Sequence, residues 1–228
     1  MQRRTFTTHL IAAPAAGLGL GAATPALALS ERDAASGVRA ALERGAVAAV
    51  ALLGRGDGFL GNPKVRIELP GSMQDAAKLL RSVGQGKRID ELVTAMNRAA
   101  EAAVPEAKTL LVSAAKSMSV EDGVKIVRGG DTSVTEFFSA KTRAPIGEKF
   151  LPIVGRATEK VSLAQKYDVL AGKAAGMGLM KKEDADLKRY VTGKALDGLY
   201  LMIGEEEKKI RKDPVGTGSA ILKKVFGG

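Results

Sequence analysis

Few residues in this chain are equipped for acid–base or nucleophilic chemistry. There is no cysteine, and His9 is the one histidine. Imidazole is the usual general base near neutral pH, so its scarcity narrows the options sharply. If residue 9 is removed, a Ser-His-Asp triad is impossible. Common zinc sites need His or Cys, and haem or iron–sulfur ligation is not expected either. Carboxylate pairs, a Ser–Lys dyad, and Mg²⁺ or Ca²⁺ held by oxygens remain. No catalytic residue, metal ligand or cofactor is assigned.

Two spacings imitate known sites. Ser113-Ala-Ala-Lys116 matches the S-x-x-K element of penicillin-recognising enzymes, where one helical turn brings lysine to serine. The S-D-N and K-T-G elements that accompany it there are missing. Gly56-Asp-Gly58-Phe-Leu-Gly61 matches G-x-G-x-x-G, but Asn62-Pro63 follows where a phosphate site needs a helix to open. A flexible turn is the expectation. Glu183, Asp184 and Asp186 lack the glycine and terminal glutamate of a calcium loop.

The better candidates are binding residues. Lys64 and Arg66 alternate with Val65 and Ile67, which suggests a cationic edge beside the glycine-rich loop. Asn97, Arg98 and Glu101 lie three and four apart, on one helical face. Glu205 and Glu206 open the charge run Glu205-Glu-Glu-Lys-Lys209, which reads as a solvated face or a carboxylate cluster for a divalent cation.

The first residues read as an export leader. Arg3-Arg4-Thr5-Phe6 resembles the twin-arginine motif, although Gln2 stands where such signals usually have Ser or Thr. An uncharged Ala- and Gly-rich run follows, then the small-x-small pair Ala26 and Ala28. The run is short and contains Pro14, so it suits cleavage after Ala28 better than a membrane span. Residues 1–28 are therefore expected to be removed, and 29–228 to form a single helical domain that is periplasmic or secreted. The general secretory route remains open beside the twin-arginine one. Loss of His9 would leave no imidazole at all.

The whole chain carries a formal net charge of +10. The positive excess is spread along the chain, unlike the single basic face or tail of a nucleic-acid binder. Aromatics to stack on bases are also few, so no nucleic-acid partner is expected. An anionic envelope component suits this charge better.

Helical signals dominate. Ser30 with Asp33 caps a helix to about Leu53, which Gly54, Gly56, Gly58 and Gly61 end. Pro63 and Pro70 bracket Lys64–Leu69, an alternating segment that is strand-like or an extended loop. Ser72 with Asp75 predicts the next cap, and Asp90 opens a long pattern that Pro105 kinks or restarts. Ser119 with Asp122 predicts another cap, and Gly129-Gly130 a stop. A short helix opened by Asp131 and two more over 145–160 and 163–175 follow. Glu183 to about Lys212 is the strongest pattern, with Leu187, Val191, Leu199, Met202, Ile203 and Ile210 on its apolar stripe. Asp213-Pro214 opens a closing helix. The fold class is all-α, a single multi-helix bundle with a short extended segment near residues 64–69.

Four segments together resemble DUF4197, a family of uncharacterised exported bacterial proteins. They are Phe59–Pro70, Met96–Glu101, Tyr190–Tyr200, and Glu205-Glu206 followed by Ile210-Arg211. The resemblance spans roughly residues 30–227. It implies an exported, largely helical protein and transfers no catalytic residue. The functional expectation is a non-enzymatic binding or scaffolding protein of the envelope. Two alternatives stand beside it: a hydrolase or transferase that uses carboxylates or a divalent metal, and a carrier of an apolar ligand.

Overall fold

The architecture is known from a computed structural model, which describes residues 31–160, 164, 165, 167, 176 and 185–213. Arg3, Arg4, Phe6, Ala26 and Ala28, expected to belong to an export leader, lie outside them. So do most of the helix expected over 163–175 and the closing helix expected after Asp213.

Helices make up the fold, and no strand forms among the described residues. They are α1 (Glu31–Leu53), α2 (Gly71–Ser82), α3 (Gly86–Ala103), α4 (Ala107–Lys116), α5 (Val120–Arg128), α6 (Ser133–Thr158) and α7 (Leu187–Lys212). A 3-10 turn at Val104–Glu106 joins α3 to α4, and it contains the Pro105 expected to interrupt the pattern.

The long helices α1, α6 and α7 organise the bundle. α6 lies against α7, α3 and α4; α1 lies against α4, α5 and α7; α2 rests on α3. One hydrophobic cluster runs through them, with Phe59, Phe138, Phe150, Leu92, Met96, Leu111 and Ile146 fully buried. Each such side chain contributes about 1.5–3 kcal/mol of burial, so the stripes rather than intrinsic propensity hold the helices. α1 and α5 approach so closely that a Cβ on Gly123 would meet the Ala35 Cα at 2.8 Å.

Several boundaries differ from those predicted. The short helix at 131 and the helix over 145–160 are one element, α6, which runs through Pro145 and Pro152. Each proline removes a backbone hydrogen bond. Phe138, Thr142, Ile146, Phe150, Val154 and Thr158 nevertheless recur every fourth residue as a buried face, with both prolines off it. Burial of that face outweighs the lost bonds. α2 already includes Ser72, because it starts at Gly71 directly after Pro70. α3 starts at Gly86, four residues before the predicted Asp90, whose carboxylate pairs instead with Arg81 of α2 at 2.5 Å. That guanidinium holds the Asp90 carboxyl below its ordinary value. α7 is described from Leu187, where the Asp186 side chain accepts the Arg189 N–H at 3.0 Å. The Ser119–Asp122 capping box is present as predicted, with reciprocal bonds of 3.0 and 3.1 Å.

Candidate functional site

After α1 the chain crosses the bundle as a loop, residues 54–70. It turns tightly through its glycines. A Cβ on Gly58 would lie 2.4 Å from the Leu53 carbonyl oxygen, and Asp57 takes a left-handed φ of 63°. α1 rather than a strand precedes the turn, and an extended segment rather than a helix follows it. The G-x-G-x-x-G spacing therefore builds a turn. The chain turns again through Pro63–Val65 and runs extended from Arg66 to Pro70, with no partner strand among the described residues.

α3 supplies what a partner strand would have supplied. Asn97 is fully buried, and its Oδ1 accepts the Ile67 N–H at 2.8 Å. Its Nδ2 donates to the Ile67 carbonyl at 2.8 Å and to Val93 O at 2.8 Å. One turn further on, Glu101 accepts the N–H groups of Phe59 and Leu60 on Oε1, at 3.0 and 3.1 Å. Its Oε2 accepts Arg98 Nη1 at 2.6 Å, and Arg98 Nη2 reaches Asp57 at 2.7 Å. Those two carboxylates raise the Arg98 pKa above its ordinary value, Glu101 contributing most.

α7 forms the other side of the clasp. The Tyr190 hydroxyl donates to the Glu68 carbonyl at 3.0 Å. Lys64 forms a close ion pair with Glu205, which lowers the Glu205 pKa. Phe59 is fully buried and packs where α7 carries Gly198, so close that a Cβ there would stand 2.8 Å from its ring. Arg66 bonds within the loop, to Glu68 at 2.6 Å and to Leu60 O at 2.9 Å.

The structure thus brings Lys64 to Glu205, and Asn97, Arg98 and Glu101 to one loop. Glu206 takes no part: it pairs with Lys209 along α7 at 2.6 Å. Ser113 and Lys116 are exposed on α4. Between the extended segment and α7 lies an open groove of about 380 Å³, lined among others by Lys64, Arg66, Glu68, Tyr190, Lys194 and Asp197. Lys194 stands over the Tyr190 ring at 5.8 Å and lies in no ion pair among the described residues. Leu201 lines the same groove and is 44% exposed.

A second polar site was not singled out in the sequence. Within the charge run Glu207 is the buried member, 5% exposed. Its Oε1 accepts Arg211 Nε at 2.8 Å, and Arg211 also donates to Ile126 O at 2.9 Å and to Ser133 Oγ at 3.0 Å. Its Oε2 has no hydrogen-bond partner. Burial raises the Glu207 pKa, opposed by Arg211 and by the Val134 amide and Ser133 hydroxyl on the first turn of α6. The available signal was helical phase. Glu207 falls four residues after Ile203 and three before Ile210, on the apolar stripe.

Among the described residues no three acidic side chains gather to hold a metal ion, and no helix is long and apolar enough to cross a membrane. No curated protein and no solved structure matches the chain. A family model does match, over residues 28–227, so the chain belongs to the family described as protein of unknown function, DUF4197.

Proposed function

We propose that this chain is an exported, non-enzymatic binding or scaffolding protein of the cell envelope, and that it binds through the groove between the extended segment and α7. The carrying observation is that the groove is built in advance. One wall is backbone locked by Asn97 and Glu101, and the other is a long helix anchored in the core. Rigid walls reduce the ordering cost of binding. Lys194, which lies in no ion pair among the described residues, makes the groove receptive to an anionic group, and the positive net charge of the chain works in the same direction. The leader-like residues 1–28 support placement in the envelope.

The enzyme reading has less support, because the candidate carboxylates are engaged. Glu101 uses both oxygens in the clasp, and Glu205 pairs with Lys64. A carrier of a whole apolar ligand needs a cavity of roughly 300 Å³ or more. The apolar cleft between α1, α6 and α7 measures about 20 Å³.

The test is in-cell photocrosslinking from a benzophenone residue at position 201. A discrete envelope component is expected on the wild-type background, and its loss in Arg66→Glu/Lys194→Glu. No crosslink, or one that the double substitution leaves unchanged, removes the groove from the proposal. N-terminal sequencing of the cell-envelope fraction is expected to begin at residue 29; a protein still starting at Met1 removes the export element.

A further inference from the structure

The joint between α2 and α3 carries apolar and cationic groups that the bundle does not use. Met73, Ala77 and Leu80 turn one face of α2 to the core. Leu79 and Val83 lie off that face, one helical turn apart. At 66% and 63% they are the most exposed large hydrophobic side chains among the described residues. Single exposed aliphatics are ordinary, but here the two most exposed ones are neighbours. The joint itself is firm. Gly84 takes a left-handed φ of 79°, and the Gln85 N–H donates to the Leu80 carbonyl at 2.8 Å. A Cβ on Gly84 would meet nothing within 4 Å, so the turn projects into solvent.

The charge around this pair has one sign. Residues 76–89 contain Lys78, Arg81, Lys87 and Arg88 and no acidic residue. All four are exposed. Arg81 pairs with Asp90 across the joint at 2.5 Å, while Lys87 and Arg88 lie in no ion pair among the described residues. The flanking acids are Asp75, Asp90 and Glu91. An aliphatic pair within a cationic collar matches the boundary of an anionic bilayer, where apolar side chains enter below the phosphates and Lys or Arg stays among them. Other occupants fit less well. A second copy would set four cations against four. A folded protein partner needs roughly 800 Å² of complementary surface, and two side chains on a projecting turn offer a small part of that. A lipid surface adapts to a small projection without a matching shape.

We propose that the α2–α3 joint docks the protein on an anionic phospholipid bilayer. Leu79 and Val83 enter the interface, and Lys78, Arg81, Lys87 and Arg88 meet the lipid phosphates. This surface shares no residue with the groove at residues 64–69 and does not depend on it.

The test is cosedimentation of the purified protein with vesicles of phosphatidylglycerol and phosphatidylcholine in equal parts, and with vesicles of phosphatidylcholine alone. Binding to the anionic vesicles is expected, with its loss at high salt. Lys87→Glu/Arg88→Glu is expected to weaken it about thirtyfold, as the loss of two cations at the surface implies, and Leu79→Ser/Val83→Ser about tenfold. These four side chains are exposed, so the variants should keep the wild-type fold, which circular dichroism checks. Lys108→Glu/Lys116→Glu on α4 changes the net charge equally and is expected to weaken binding less than about threefold. No binding of the wild-type protein to the anionic vesicles overturns the proposal, and so does equal binding to the neutral ones. Equal sensitivity to the α4 substitutions overturns it too, since the attraction is then to net charge and not to the joint. A dimer in sedimentation velocity that Leu79→Ser/Val83→Ser dissolves assigns the face to a second copy instead. A photocrosslink in cells from position 82 to a protein, and not to lipid, assigns it to a protein partner and overturns the proposal as well.

Discussion

The clasp around residues 54–70 and the seam at Glu207 both bury polar side chains, but they balance the cost differently. In the clasp every oxygen and nitrogen of Asn97 and both oxygens of Glu101 have partners, most of them backbone groups of the loop. At the seam one oxygen of Glu207 is satisfied and the other is not. A fully bonded buried network fixes a conformation, and nothing is left over for a ligand. An incompletely bonded one carries a desolvation cost that its neighbours offset only in part. The residues that looked most like a site in the sequence are thus the frame, and the residue hidden within a charge run is the exception.

The largest effect should come from cutting the frame. Asn97→Ala removes three hydrogen bonds and leaves both the N–H and the C=O of Ile67 buried without partners. At about 1–3 kcal/mol for each orphaned group, a loss of roughly 3–5 kcal/mol is expected in denaturant unfolding. Hydrogen exchange should also accelerate at Ile67 before it does in α6. A loss below about 1 kcal/mol would mean that the extended segment is held by its side chains and not by α3.

Glu101→Gln is a milder cut. The amide oxygen can still accept from Phe59 or Leu60, but the charge-assisted bond from Arg98 is lost. A loss of about 1–3 kcal/mol is expected, together with release of Asp57 from Arg98, seen as faster amide exchange across residues 55–61.

Much of this division follows from what one chain can disclose about itself. Local rules were readable: the Ser119 cap, the break at Pro105 and the stripe of α7 each follow from residues within a turn or two of one another. The spacing of Asn97 and Glu101 was readable as well. Their partners were not, because Ile67, Phe59 and Leu60 lie 30 to 42 residues away and contribute backbone, which carries no residue-specific signal. The prolines of α6 misled for the opposite reason. A local penalty was visible, while the buried face that overrides it depends on α3 and α7 being packed alongside. Glu205, Glu206 and Glu207 are chemically identical in the sequence, and only the registry of α7 against α1 and α6 separates one from the others.

The seam is tested by its pH dependence. Burial raises the Glu207 pKa in the folded state above that of the unfolded chain, about 4.3. The group's stabilising contribution is then complete below the unfolded value and is lost as pH rises through the folded one. Glu207→Gln has no such titration. The stability of wild type relative to this variant should therefore decline from pH 4 upward. A flat difference would show that Arg211 compensates the buried charge completely and would bring the seam into line with the clasp.

Asp122 supplies the opposite sign and the smallest effect. It lies on the surface at the start of α5, where the Ser119 N–H, above all, holds its carboxyl below the ordinary value. Its contribution is present above the unfolded pKa of about 3.9 and disappears as pH falls through the folded value. Ser119→Ala removes the other half of the box and is expected to cost about 1 kcal/mol near neutral pH. Asp122→Ala should do the same near neutrality and progressively less as pH falls through the folded value. Measured beside Glu207→Gln, the two variants should move in opposite directions with pH. A carboxylate with all its partners loses value in acid, and one with an empty oxygen loses value in base. Parallel pH profiles would mean that the seam is as well satisfied as the cap.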